Sequence, residues 1–310
     1  EVLDELNIPI DYIAASSSGT IIAAAYACGT LPQLKEHVLR MNKDDAFGWA
    51  GKMKFRRKGI YSLDSFEELM RYYTRGLKFE EVRPLLSFMA VDLDRGQEVV
   101  LSMGDLAQAI RISCTVPAIF EPLDLESRTL VDGGLLNVIP LDAVRAAGAD
   151  VTITLDIPGI QYIFSGTIFA KARKVFNFAK KIKLLTTVKV LWRRAYSAFA
   201  ESDYGSFLQL EISDDGERKQ LSSIFSIFGR ALDITLEAEK IPFEVELHPL
   251  TDFYITPLVP RTRLGALEQN TFTYEMGRKV AAQYAPRIKD AIERYTEVRN
   301  EAKPIKIRLL

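Results

Sequence analysis

Residues 10–29 read Ile10-Asp11-Tyr12-Ile13-Ala14-Ala15-Ser16-Ser17-Ser18-Gly19-Thr20-Ile21-Ile22-Ala23-Ala24-Ala25-Tyr26-Ala27-Cys28-Gly29. The apolar run to Ala15, bounded by Pro9 and a serine cluster, suits a buried strand. Ser18 to Cys28 is small and apolar and stops at Gly29, which predicts a buried helix with a glycine C-cap. Strand, sharp turn and helix therefore follow within twenty residues. A nucleophile elbow, G-x-S-x-G, needs small residues two before and two after the serine, because the strained turn brings neighbouring backbone close. One frame fits: Ser17 as nucleophile, Gly19 after it, and Ala15 in the first glycine position. The helix N-terminus and the Ser18 backbone N–H would then face an oxyanion at Ser17. A serine-rich helix cap beside glycine is the plainer use of the same residues.

Working outward, Leu31–Met41 reads as a helix with Pro32 in its first turn. Leu63–Tyr73 reads as another, capped by Ser62 or by Ser65 in a capping box with Glu68. Leu86–Leu93 and Gln97–Ser102 flank Asp94-Arg95-Gly96 and predict a hairpin. Leu106–Ile112 is helical in pattern, a short strand ends at Asp132, Leu141–Ala147 is a helix, and Asp150–Ile157 is a buried strand. Further on, Gly205–Ile212 and Phe253–Thr256 read as strands, Phe225–Glu239 as a helix, and Thr273–Tyr295 as a long terminal helix. Alternating strands and helices predict an α/β class, three layers α/β/α around a largely parallel central sheet.

The chain has 310 residues, 48% of them hydrophobic, with a net charge of −1. That balance excludes disorder and a collagen-like repeat. Two cysteines, Cys28 and Cys114, make no disulfide framework, and two distant histidines, His37 and His248, make no histidine metal motif. No run approaches the roughly 18 apolar residues of a membrane span. Glu1–Leu6 reads as the last turns of an amphipathic helix, with no signal-peptide pattern.

Two further stretches carry polar groups at predicted element ends: Ser113-Cys114-Thr115-Val116-Pro117-Ala118-Ile119-Phe120-Glu121-Pro122, and Val131-Asp132-Gly133-Gly134-Leu135 followed by Asn137 and Pro140. Singly, the first is an ordered loop and the second an Asp-Gly turn. Together with the elbow, in this order and with Asp132 115 positions after Ser17, they resemble the patatin-like phospholipase family. The likeness is clear over residues 1–157.

The resemblance implies a Ser-Asp dyad: Asp132 as base, Ser17 as nucleophile, Gly133 and Gly134 in the loop behind the aspartate, no histidine and no metal or organic cofactor. An aspartate, ordinarily near pKa ~3.9, gains basicity for that task from a desolvated position. The family also carries a G-G-G-x-R-G oxyanion loop upstream of the elbow, which the resemblance places before Glu1. The implied function is cleavage of fatty-acyl esters of phospholipids or lysophospholipids. Two rivals remain open: a non-catalytic lipid-binding or regulatory module on the same fold, and a histidine-dependent thioesterase or acyltransferase using His37 or His248.

Residues 157–200 hold nine basic residues, Lys171, Arg173, Lys174, Lys180, Lys181, Lys183, Lys189, Arg193 and Arg194, and no Asp or Glu, so the rest of the chain sums to −10. Apolar residues at helical spacing between them suit docking on an anionic membrane surface. A solvated helix face or a homodimer contact is the alternative; no nucleic-acid motif accompanies the charge. The expected organisation is a catalytic core over 1–157, a basic amphipathic insertion over 158–204, and the rest of the same domain over 205–310. The expected location is cytoplasmic and peripherally membrane-associated.

Overall fold

The computed structural model describes residues 1–41, 62–117, 120–125, 127–157, 251–257 and 270–301, with 227, 231 and 234 placed singly. The basic insertion, the strand expected over 205–212, His248 and most of the helix expected over 225–239 lie outside the described residues.

The sheet is organised by one strand. Leu85–Asp92 (β2), from the apolar run LLSFMAVD, is buried at every position after Leu85, as expected where both faces of a strand are covered. Tyr12–Ala15 (β1) pairs with it in parallel, Ala15 opposite Phe88. A parallel pair needs a crossover. Among the described residues it contains three α-helices: Gly19–Ala27 (α2), Leu31–Arg40 (α3) and Asp64–Tyr73 (α4). Gln97–Leu101 (β3) returns antiparallel along β2. The turn is closed by Asp92, whose carboxylate accepts the backbone N–H groups of Asp94 and Arg95 at 3.0 and 2.9 Å.

After Leu106–Ser113 (α5), Leu123–Leu125 (β4) and Arg128–Asp132 (β5) form an antiparallel pair, and β5 lies antiparallel on β2 with Asp132 opposite Ala90. The layering is α/β, as expected, and the described pairings are mixed. β1 and β5 run toward each other along β2, ending opposite Phe88 and Ala90. That register brings together residues far apart in sequence.

The main core gathers the inner faces of α2 to α5 on β1 and β2, through Ala24, Leu34, Met70, Phe88, Leu106 and Ile110. Phe79 meets Phe88 edge-on, centroids 5.0 Å apart. Arg111 of α5 ties down α4 through Asp64 and Glu67 at 3.0 and 2.8 Å. A second cluster joins Val2–Glu5 (α1), Ile153–Leu155 (β6), Phe253–Ile255 (β7) and the terminal helix Asn270–Glu301 (α7) through Ile8, Phe253, Ile255 and Ile288. β6 and β7 are parallel. Leu141–Ala146 forms a short helix (α6) just before them.

Two local expectations are corrected. No side chain caps α4 across its first turn: Leu63 is the N-cap and Ser65 lies inside the helix, so the Ser65–Glu68 capping box does not form. Ser62 only accepts the Asp64 N–H, at 3.2 Å. The strand expected over 150–157 narrows to Ile153–Leu155, because only those residues find a partner in β7. α2 does end as expected: Gly29 takes φ 67°, and the Thr30 N–H reaches back to the Ala25 carbonyl at 2.8 Å, which is the Schellman pattern.

Candidate active site

β1 ends at Ala15 and α2 begins at Gly19, leaving Ser16, Ser17 and Ser18 to turn the chain. Ser17 sits at φ 50°, a left-handed conformation that costs a non-glycine residue about 1–3 kcal/mol and persists only when its surroundings fix it. They do so at every polar atom. The Ser17 N–H donates to Ser113 Oγ at 3.0 Å, and its carbonyl accepts from Thr20, the hydroxyl at 2.6 Å and the N–H at 3.0 Å. Ser17 Oγ donates to Asp132 Oδ2 at 2.7 Å.

Asp132 closes β5 and is fully buried, whereas Ser17 is partly open to solvent. Its N–H donates to the Thr115 carbonyl at 2.9 Å, and Oδ1 accepts the Gly134 N–H at 2.8 Å. Burial pushes the Asp132 carboxyl up to about 7, against the pull of the Gly134 and Ser17 bonds. At neutral pH it is therefore poised between carboxylate and acid.

Gly133 is held against β2: a Cβ there would lie 2.5 Å from the Met89 carbonyl carbon and 2.6 Å from Met89 Cβ. The close approach of the Asp-Gly-Gly loop to the strand requires glycine at this position. Gly19 differs from the expectation that close backbone excludes a side chain. A Cβ there would meet only Ala15 Cβ, at 3.6 Å, an ordinary contact. Gly19→Ala is accordingly expected to leave stability unchanged or raise it by up to about 1 kcal/mol through helix propensity. Thermal unfolding checks this, and a loss beyond about 1 kcal/mol would contradict it.

Ser18 is exposed, and among the described residues nothing accepts its N–H, which lies at the N-cap of α2. Its donor is available to an anion at Ser17. His37 pairs instead with the Tyr73 hydroxyl, and among the described residues no histidine bonds Ser17 or Asp132. Burial raises both thiols, Cys28 and, beside Thr20 and Asp132, Cys114, so neither is an activated thiolate. No group of three metal-ligating side chains occurs among the described residues, and no described helix is long and apolar enough to cross a membrane.

In the sequence, Ser113 and Thr115 read only as parts of an ordered loop. Their contacts to Ser17 and Asp132 are tertiary, and no local pattern signals them.

The α/β sheet thus presents a serine on a strand–turn–helix elbow, hydrogen-bonded to a buried aspartate. Residues 1–145 match the family model described as Patatin-like phospholipase. An "Uncharacterized NTE family protein" of Mycobacterium tuberculosis is 25% identical over 159 residues, 51% of this chain and 44% of that relative. "Uncharacterized protein YqhO" of Bacillus subtilis is 29% identical over 178 residues, 46% of this chain and 59% of its own length. "Patatin-like phospholipase domain-containing protein 6" of Homo sapiens is 24% identical over 169 residues, 51% of this chain and 12% of its length. The matches thus span less than two thirds of each of these relatives.

Proposed function

We propose that this chain hydrolyses fatty-acyl esters of phospholipids or lysophospholipids through a Ser17–Asp132 dyad. The observation that carries the reading is the 2.7 Å bond from Ser17 Oγ to a fully buried Asp132 carboxylate. In the proposed cycle Asp132 takes the Ser17 hydroxyl proton as Oγ attacks the ester carbonyl. The Ser18 N–H donates to the developing oxyanion. Collapse expels the lysolipid or glycerol alcohol, which takes the proton from Asp132, and leaves an acyl-Ser17 ester. Water, deprotonated by the same carboxylate, then releases the fatty acid. No cofactor enters the cycle. The nine uncompensated basic residues of 157–200 support an anionic lipid surface as the place of reaction.

The test is covalent labelling of Ser17 by a fluorophosphonate, read by peptide mass, beside hydrolysis of a p-nitrophenyl fatty ester and of anionic phospholipid vesicles. Ser17→Ala should abolish labelling and hydrolysis. With Asp132 as base, raised to about 7, the rate is expected to be flat above neutral pH. Below pH about 6 it should fall roughly tenfold per pH unit as the carboxylate protonates. Labelling elsewhere than Ser17, or a midpoint near 4, would overturn the reading. Vesicle binding with neither labelling nor hydrolysis would favour a lipid-binding module.

A further inference from the structure

We infer that Ser113 is a positioning residue for the nucleophile, and that Ser113–Thr115 acts as one jig holding both halves of the Ser17–Asp132 pair; the inference rests on the dyad reading above. Ser113 is the last residue of α5 and is fully buried. Its hydroxyl donates its single proton to the Met89 carbonyl of β2, at 2.6 Å. Only lone pairs are then left to face Ser17, whose N–H they accept at 3.0 Å. The polarity of the contact is thus fixed by β2.

Two residues on, the Thr115 carbonyl accepts the Asp132 N–H at 2.9 Å. One segment therefore grips the backbone of the serine and of the aspartate. It is itself rigid: the Cys114 and Thr115 N–H groups continue the helical pattern onto the Ile110 and Ile112 carbonyls, and both isoleucines are buried. A left-handed serine is kept only by such over-determination. Loss of the Ser113 hydroxyl frees the Ser17 N–H, lets φ relax, and lengthens the reach from Oγ to Asp132.

The experiment compares the full chain with Ser113→Ala, Ser113→Thr and a remote core control, Leu34→Val in α3, for fluorophosphonate labelling of Ser17 against pH and for thermal stability. Ser113→Ala is expected to label about tenfold more slowly at pH 8, the loss of one hydrogen bond's worth of preorganisation. The Ser17 bond holds the Asp132 carboxyl down, so the same variant should shift the midpoint above that of the unaltered chain. Ser113→Thr, which keeps the hydroxyl, should restore both rate and midpoint to near those of the unaltered chain. Leu34→Val should lose stability with neither change.

If Ser113→Ala does not fold, Ser113→Cys, a weaker donor and acceptor on the same Cβ, carries the comparison. Rate and midpoint within twofold and within error of the unaltered chain, at whatever stability, would overturn the inference and leave the dyad standing. An unaltered chain that does not label at Ser17 overturns both.

Discussion

Asp132→Asn is expected to lower ester turnover by a factor of about 1000 or more while making the folded chain more stable above neutral pH. The first effect follows from the 2.7 Å contact with Ser17 Oγ. An amide can give the Gly134 N–H its oxygen and turn its NH₂ toward Ser17, which keeps the pair together but leaves nothing to take the serine proton. Loss of a positioned general base costs about 10²–10⁴-fold.

The second effect has its sign set by burial. The Asp132 carboxyl is raised from 3.8 in the unfolded chain to about 7 in the folded one. Between those values the folded state binds the extra proton. The stability this contributes is therefore full below about 4 and is lost as pH rises toward and through 7. By pH 8 the buried charge costs about 4 kcal/mol relative to pH below 4. Asparagine carries no such cost. The difference in urea unfolding free energy between Asp132→Asn and the unaltered chain should grow from pH 5 to pH 8, and parallel stability curves would show that the carboxyl is not desolvated as its surroundings imply.

The site is only half legible in the sequence. The elbow was readable because its requirements are local: small residues at Ala15 and Gly19, a serine between them, an apolar strand before and Gly29 after. The elements of the core were readable for the same reason, since β2 declares itself as a mostly apolar run, LLSFMAVD. What joins Ser17 to Asp132 is not local. It depends on β1 and β5 meeting β2 two residues apart, opposite Phe88 and Ala90, and no spacing within either segment encodes that register. The family likeness supplied the pairing where the residues alone left an Asp-Gly turn. Ser113 escaped for the same reason, and the expected Ser65 cap failed because the helix starts two residues earlier than that pattern needs, at Asp64. The three-residue β4, enclosed by Pro122 and a turn, is too short to show a period.

Gly133→Ala is the other substitution expected to have a large effect, and here stability and turnover fall together. The added Cβ would lie within 2.6 Å of Met89 Cβ and closer still to its carbonyl group. The obstructing atoms include the backbone of a fully buried residue, which pairs with Val100 of β3 and directly precedes Ala90, the partner of Asp132. No side-chain rotation removes the clash, so either β2 or the Asp-Gly-Gly loop must shift. Overpacking of this kind costs about 1–3 kcal/mol, and obstruction by buried backbone places the expected loss at about 3 kcal/mol.

The Met89 carbonyl is also the acceptor for Ser113, which in turn holds the Ser17 N–H. A shift at Gly133 therefore moves Asp132 directly and Ser17 through two hydrogen bonds, and a misplacement of about 1 Å can cost about 100-fold in turnover. Urea unfolding together with ester hydrolysis at a temperature where the variant is folded separates the two losses. Gly19→Ala, whose Cβ meets only a methyl group at 3.6 Å, provides the matched comparison in the same site. A Gly133→Ala chain within about 1 kcal/mol of the unaltered protein would mean that the loop does not need its contact with β2, and that the dyad is held by the Gly134 and Thr115 bonds alone.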